Sequence, residues 1–258
     1  MLWVLRWWRR HQILRHSHEH TPEAIAARLE SGPGHSYLKD SIYGAIDGAV
    51  TTFAVISSIA GAGLASGVII VLGLANLLAD GFSMAASNYL GTRAENQRRA
   101  QKRGEEYRAI DSDPQGEQEE IRQIFAAKGF GGAELEAVVN VITTNRDCWV
   151  DTMLQEEYGL SSQPARALLA GVVTFLAFML AGTLPLLPFL LDWFGLMSGQ
   201  PFLWSAVITG AAFFLVGSAK AQYVDQAWYW SGLEVLVIGG TASLLAYGVG
   251  LCLKGLVM

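Results

Sequence analysis

Two sets of residues in this sequence have the types and spacing to bind a divalent cation. The first lies in apolar chain. Asp40 and Asp47 are seven apart, so on a helix they share a face about 10 Å apart at the helical rise. Asn76, Asp80 and Met84 follow one another at four-residue intervals and form a second stripe. A carboxylate at mid-membrane depth costs roughly 2.5–3.5 kcal/mol on insertion scales, so such a residue faces a bundle interior or a water-filled path. Facing each other, the two stripes line a path with oxygen and sulfur ligands, where a carboxyl group can exchange a proton for a metal ion. The competing reading makes Asp47 a buried, hydrogen-bonded residue that fixes helix packing. Residue types alone leave both open.

The second set lies in polar chain. Glu117 and Glu120 are three apart and Met153 and Glu157 four apart, so each pair shares a helix face. Glu105 and Glu106 close the helix that descends from the second apolar stretch. Carboxylates facing inward from three helices can hold a divalent ion. A thioether among them favours a transition metal such as Fe2+ over Mg2+ or Ca2+, which take oxygen ligands throughout. The pattern is equally that of an acidic solvated face with Met153 in a small core.

The elements that position these residues follow from hydropathy. Of 258 residues 52% are hydrophobic and only 16% charged. Apolar segments at about 41–64, 67–91, 165–191, 202–219 and 231–253 are long enough to cross a bilayer as helices. The chain reads as an all-α membrane protein of five transmembrane helices, with a cytosolic three-helix insert between helices 2 and 3. Its parts are a cytosolic N-terminal segment (1–40), helices 1 and 2 (41–91), a metal-binding helical domain (92–163) and helices 3 to 5 (164–258). Pro185 and Pro188 are expected to end the third span where it leaves the membrane. Gly44 and Gly48, flanking Asp47, would let another helix approach closely, as would Gly239, Gly240, Gly248 and Gly250 in the last span.

Charge sets the orientation. Six basic residues (Arg6, Arg9, Arg10, Arg15, Arg28, Lys39) precede the first span and ten lie between Arg93 and Arg166. The links after spans one and three have none. Positive charge stays inside, which puts the N-terminus and the insert in the cytosol and the C-terminus opposite. Trp193 and Trp204 would mark the outer interface, Trp228 and Trp230 the inner one. Within the insert, Asp113-Pro114 has the form of a helix start, and Gly129, Gly131 and Gly132 that of its stop.

The start, MLWVLRWWRRHQILRH, lacks the long apolar run and cleavage site of a signal peptide and is expected to lie on the inner membrane face. All five histidines, His11, His16, His18, His20 and His35, fall near it. They read as a solvated tail, since no partner ligands close a four-coordinate site. Cys148 and Cys252 sit in different regions and suggest no disulfide. The net charge of −5 comes mainly from the insert and does not point to nucleic acid.

The stretch LKDSIYGAIDGAVTTFAVISSIAGA, followed by GLANLLADGFSMAASNYLGTRAE, resembles the first two membrane helices of the vacuolar iron transporter family. The similarity continues through Glu117 and Glu120, CWVDTMLQEEYGL and TLPLLPF, over about residues 38–254. The resemblance implies a homodimer of five-span protomers that moves Fe2+ and similar divalent metals such as Mn2+ out of the cytosol in exchange for protons. That is a secondary transporter, not an enzyme, with no permanently bound cofactor. Its membrane would be the cell inner membrane in a prokaryote or a vacuolar-type membrane in a eukaryote. By matching position, the path would be Asp40, Asp47 and Met84, and the cytosolic site Glu106, Glu117, Glu120, Met153 and Glu157. Asn76 stands where a glutamate is expected, Ala109 where a second glutamate is, and Leu154 where a second methionine is. Asp80, one turn from Asn76, is the candidate replacement. From another class, a membrane-anchored ferroxidase or a metal-sensing scaffold would use the same Glu/Met cluster. A ferroxidase centre in a carboxylate bundle uses Glu-x-x-His motifs, and the insert has no histidine.

Overall fold

The computed structural model describes residues 21–31, 36–161, 163–197, 199–221 and 226–257. The chain divides into two units, Met1–His35 and Ser36–Met258. Helix α1, Pro22–Ser31, belongs to the first. The Thr21 hydroxyl caps it, accepting from the Ala24 amide at 3.3 Å. The N-terminal basic segment and all five histidines lie outside the described residues.

The second unit begins with α2, Leu38–Ala62, which Gly63 stops in the left-handed conformation that favours glycine (φ 75). Helix α3 then runs unbroken from Ser66 to Ser112, a length of about 70 Å at the helical rise. Only its first half is apolar, so it leaves the membrane and continues as the first helix of the polar segment. Pro114 ends it by forcing Asp113 out of the helical region (φ −142, ψ 74). The same aspartate caps α4, Pro114–Ala127, accepting from the Gly116 amide at 3.0 Å. Gly129, at φ 98, follows α4. Helix α5, Gly132–Thr144, and α6, Arg146–Glu156, complete the polar segment. Asn145 caps α6 by accepting from the amides of Asp147 (3.0 Å) and Cys148 (3.2 Å).

Three further spans follow. Helix α7 covers Ala167–Thr183, and a 3-10 turn, Leu184–Leu186, joins it to α8, Leu187–Trp193. Pro185 and Pro188 therefore interrupt the third span rather than end it. Each sits in the first turn of the element it opens, where a missing N–H costs nothing. Helices α9, Pro201–Lys220, and α10, Trp228–Val257, complete the bundle. Five helices are long and apolar enough to cross a membrane, and the described residues contain no strand. The protein is an all-α, multi-pass membrane protein.

Helix α2 is the centre of the bundle, packed chiefly on α7 and α10, and α7 also packs on α3. Lipid is as apolar as leucine, so close backbone approach replaces the hydrophobic drive between spans. Gly44 and Gly48 provide it: a Cβ at either would strike α7 backbone, at Thr174 and Phe178 respectively. Gly239 and Gly250 likewise face Phe213 and the Ser58 carbonyl, whereas Gly240 and Gly248 face open space. The interior is Phe53, Ile56, Ile59, Ile69, Leu77, Phe178, Leu186 and Phe189. Outward residues of α3 such as Val71 and Phe82 are exposed, as lipid contact requires. Trp193, Trp204, Trp228 and Trp230 are all exposed and stand at or near span ends. The polar segment has its own core of Ile110, Ile121, Val139, Ile142, Trp149, Val150, Met153 and Leu154. Such side chains stabilise by about 1.5–3 kcal/mol each when fully buried from water.

Candidate functional site

The membrane stripes come together between α2, α3 and α7. A cavity of about 320 Å³ is lined by Lys39, Asp40, Tyr43, Met84, Ser87, Asn88 and Thr174. Asp40 and Met84 thus share one space. The Asn88 amide joins the three helices, donating to Asp40 Oδ1 at 3.0 Å and to Thr174 Oγ1 at 2.7 Å. Asp47, two turns further along α2, does not line this cavity. Instead it is half-buried and close enough to Asp80 for their charges to interact across the α2–α3 seam. The Thr51 hydroxyl donates to the Asp47 backbone carbonyl at 2.8 Å and leaves the carboxylate untouched. Asn76, one turn from Asp80, has a buried Nδ2 without an acceptor among the described residues. The stripes therefore meet as two stations, Asp40 with Met84 and Asp47 with Asp80.

The polar segment sorts its acids into two groups. Glu105 faces away, 2.8 Å from Lys102 Nζ and accepting from Gln101 at 2.9 Å. Asp147 and Asp151 pair with Arg103, Asp111 with Arg146, Glu119 and Glu136 with Arg122, and Glu156 with Lys128. These pairs tie α3 to α6, α4 to α5 and the end of α4 to α6. By contrast Glu106, Glu117, Glu120 and Glu157 form no ion pair with Lys or Arg among the described residues. Yet their charges act on one another. Glu106 is only 4% exposed. One of its oxygens accepts from the Tyr158 hydroxyl at 3.0 Å. The other is buried without a donor, as is one oxygen of Glu117.

The cost of this arrangement shows in their acidity. Burial, then repulsion from Glu120, Glu106 and Glu157, pushes the Glu117 carboxyl up to about 7. Burial also raises Glu106, partly offset by the Tyr158 hydrogen bond, with Glu157 and Glu120 adding repulsion. Glu120, at the exposed rim, is raised by desolvation and by Glu157. Buried, unpaired like charges are what a divalent cation relieves. Among the described residues no three acidic, imidazole or thiol side chains close around one point as metal ligands do. Met153 is fully buried in the core beside Leu154.

A family model described as "VIT family" matches residues 38–251, from the first residue of α2 deep into α10. The chain belongs to the VIT family. A vacuolar iron transporter of Toxoplasma gondii is 33% identical over 228 residues, covering 84% of this chain and 74% of that one. Vacuolar iron transporter 1 of Arabidopsis thaliana is 31% identical over 211 residues, 81% and 83% of the two chains. A vacuolar iron transporter of Centaurea cyanus is 30% identical over 213 residues, 82% and 86%. The VIT match takes in every path and cluster residue named above and leaves α1 outside it.

In this VIT-family chain two residues outside the spacing patterns stand beside the candidate sites, Asn88 at the Asp40–Met84 cavity and Tyr158 at the Glu cluster. Asn88 continues the stripe Asn76, Asp80, Met84 by one more interval of four, a signal present in the sequence. Tyr158 directly follows Glu157, where adjacency carries no information about facing. Only the fold brings its hydroxyl to Glu106.

Proposed function

We propose that this chain carries a divalent transition metal, Fe2+ with Mn2+ as a second substrate, out of the cytosol across a membrane in exchange for protons. The observation that carries the proposal is the pairing of Asp40 with Met84 in one cavity among membrane-spanning helices, with Asp47 and Asp80 beyond it near enough for their charges to interact. Met84 also packs against the bundle core and Asp40 accepts from Asn88, but a thioether and three carboxylates along one helix seam together supply the ligand types of a divalent transition metal. The relatives' name supports iron as cargo.

In this mechanism metal collects on Glu106, Glu117, Glu120 and Glu157, with the Met153 sulfur selecting for a transition metal. It then passes to Asp40 and Met84 and on to Asp47 and Asp80. Protons return through Asp47, because a carboxyl group that holds a metal ion cannot also hold a proton. Glu105, turned to Lys102, steers cations by charge only. The N-terminal segment and residues 92–163 face the cytosol and the C-terminus lies opposite, as the basic residues favour. Two protomers form the working unit, in keeping with the homodimer that the family resemblance implies.

The test is flux. Purified protein in vesicles holding a metal-sensitive dye should admit Fe2+ and Mn2+ faster than empty vesicles, and Asp40→Ala or Met84→Ala should lose most of that rate. Equal rates with and without the protein overturn the proposal.

A further inference from the structure

Asn88 has no part in the mechanism above, yet its surroundings fix what it can do. Three atoms surround its amide nitrogen: Asp40 Oδ1 at 3.0 Å, Thr174 Oγ1 at 2.7 Å and the Ala170 carbonyl at 3.4 Å. The Thr174 hydroxyl spends its proton on the Ala170 carbonyl at 2.9 Å, so toward Asn88 it can only accept. All three neighbours are therefore acceptors. A flipped amide would set a carbonyl oxygen against every one of them, so the NH2 branch belongs on this side. The amide oxygen takes the other branch. It has no donor among the described residues, and Asn88 lines the cavity that holds Asp40 and Met84.

We propose that Asn88 Oδ1 is a neutral oxygen ligand for a divalent cation held between Asp40 and Met84, while its NH2 group fixes the Asp40 carboxylate. The inference rests on the transport function proposed above. Met84 and Asn88 share a face of α3 at a spacing of four, and Asp40 faces them from α2. The resulting set is one carboxylate, one amide oxygen and one thioether, suited to a borderline transition-metal ion. Lys39 is on the same wall, its ammonium 5.6 Å from the Tyr43 ring centroid. That fixed charge weakens cation binding, as passage rather than storage demands.

The experiment measures KM for Mn2+ and Cd2+ in vesicles carrying the full-length protein. In Asn88→Cys a soft sulfur replaces a hard oxygen, so KM for Cd2+ relative to Mn2+ should fall about tenfold. Asn88→Ser, which restores an oxygen, should bring that ratio back toward wild type. An Asn88 that only packs or only orients Asp40 would change both metals equally, so an unmoved ratio in Asn88→Cys overturns the inference. Asn88→Ser also guards against misfolding of the cysteine variant, since it keeps an oxygen and gives up only the amide nitrogen. Its KM for Mn2+ should stay within about tenfold of wild type, whereas loss of flux for both metals in a serine variant that melts like wild type means that only the NH2 group matters and overturns the inference. Wild-type protein without flux of either ion sinks the transport function and this inference with it. Wild-type flux with an unmoved ratio sinks this inference alone.

Discussion

The Tyr158 hydroxyl donates a hydrogen bond to Glu106 Oε1 at 3.0 Å, holding one oxygen of a carboxylate whose other oxygen is buried with no donor. The bond crosses from the chain just after α6 to the extension of α3. It therefore orients an inward carboxylate of the cluster. Partners of metal ligands typically contribute about 10–100-fold in affinity. Tyr158→Phe should weaken Fe2+ or Mn2+ binding to the purified protein by roughly tenfold, read by titration calorimetry.

Glu117 gives a pH dependence whose sign is fixed. Its carboxyl stands at about 7 in the folded chain against an ordinary 4.5. The folded state thus keeps a proton that the unfolded chain releases, and the stability this lends is full below pH 4.5 and lost as pH rises through 7. Without metal, the melting temperature of wild type relative to Glu117→Gln should fall across that window. With Mn2+ present the loss should shrink, because metal takes the proton's place. Thermal unfolding at a series of pH values checks both.

Met153 separates packing from ligation. The side chain is fully buried in the insert core, so Met153→Ala should cost about 2–5 kcal/mol of stability. A leucine fills nearly the same space, and Met153→Leu should cost less than about 1.5 kcal/mol. If the sulfur ligates, the leucine variant binds Fe2+ more weakly while keeping its fold. Unfolding and binding measured on the same preparations distinguish the two.

Gly48 bears on the bundle rather than the metal. A Cβ there would meet the Phe178 backbone of α7, which has no flexible end to move aside. Gly48→Ala should destabilise by about 1–3 kcal/mol and lower the melting temperature in detergent. Gly91, with open space around it, should accept alanine without such loss.

What the sequence reveals is largely a matter of period. Apolar length alone marks five spans, and Asp113-Pro114 marks the start of α4, because both signals are local. Helix boundaries shift by a few residues: α2 begins at Leu38 and α10 at Trp228. The prolines of span three are misjudged for a physical reason. A 3-10 turn lets the apolar chain continue through Pro185 and Pro188 to Trp193. The sorting of acids is not local at all. Glu105 and Glu106 are neighbours in sequence but point about 100° apart on the helix, and only the position of Lys102 and Tyr158 assigns one to solvent and the other to the cluster. Likewise the approach of Asp80 to Asp47 depends on how α3 crosses α2.

The central claim is that a metal ion and protons exchange along the α2–α3 seam. The most direct measurement follows Fe2+ uptake and lumenal pH together in vesicles with an imposed pH gradient, for wild type and Asp47→Asn. Wild type should couple metal entering one way to protons leaving the other, and Asp47→Asn should lose both the flux and its dependence on the gradient. An Asp47→Asn variant that moves Fe2+ at the wild-type rate with the same pH dependence would contradict the account.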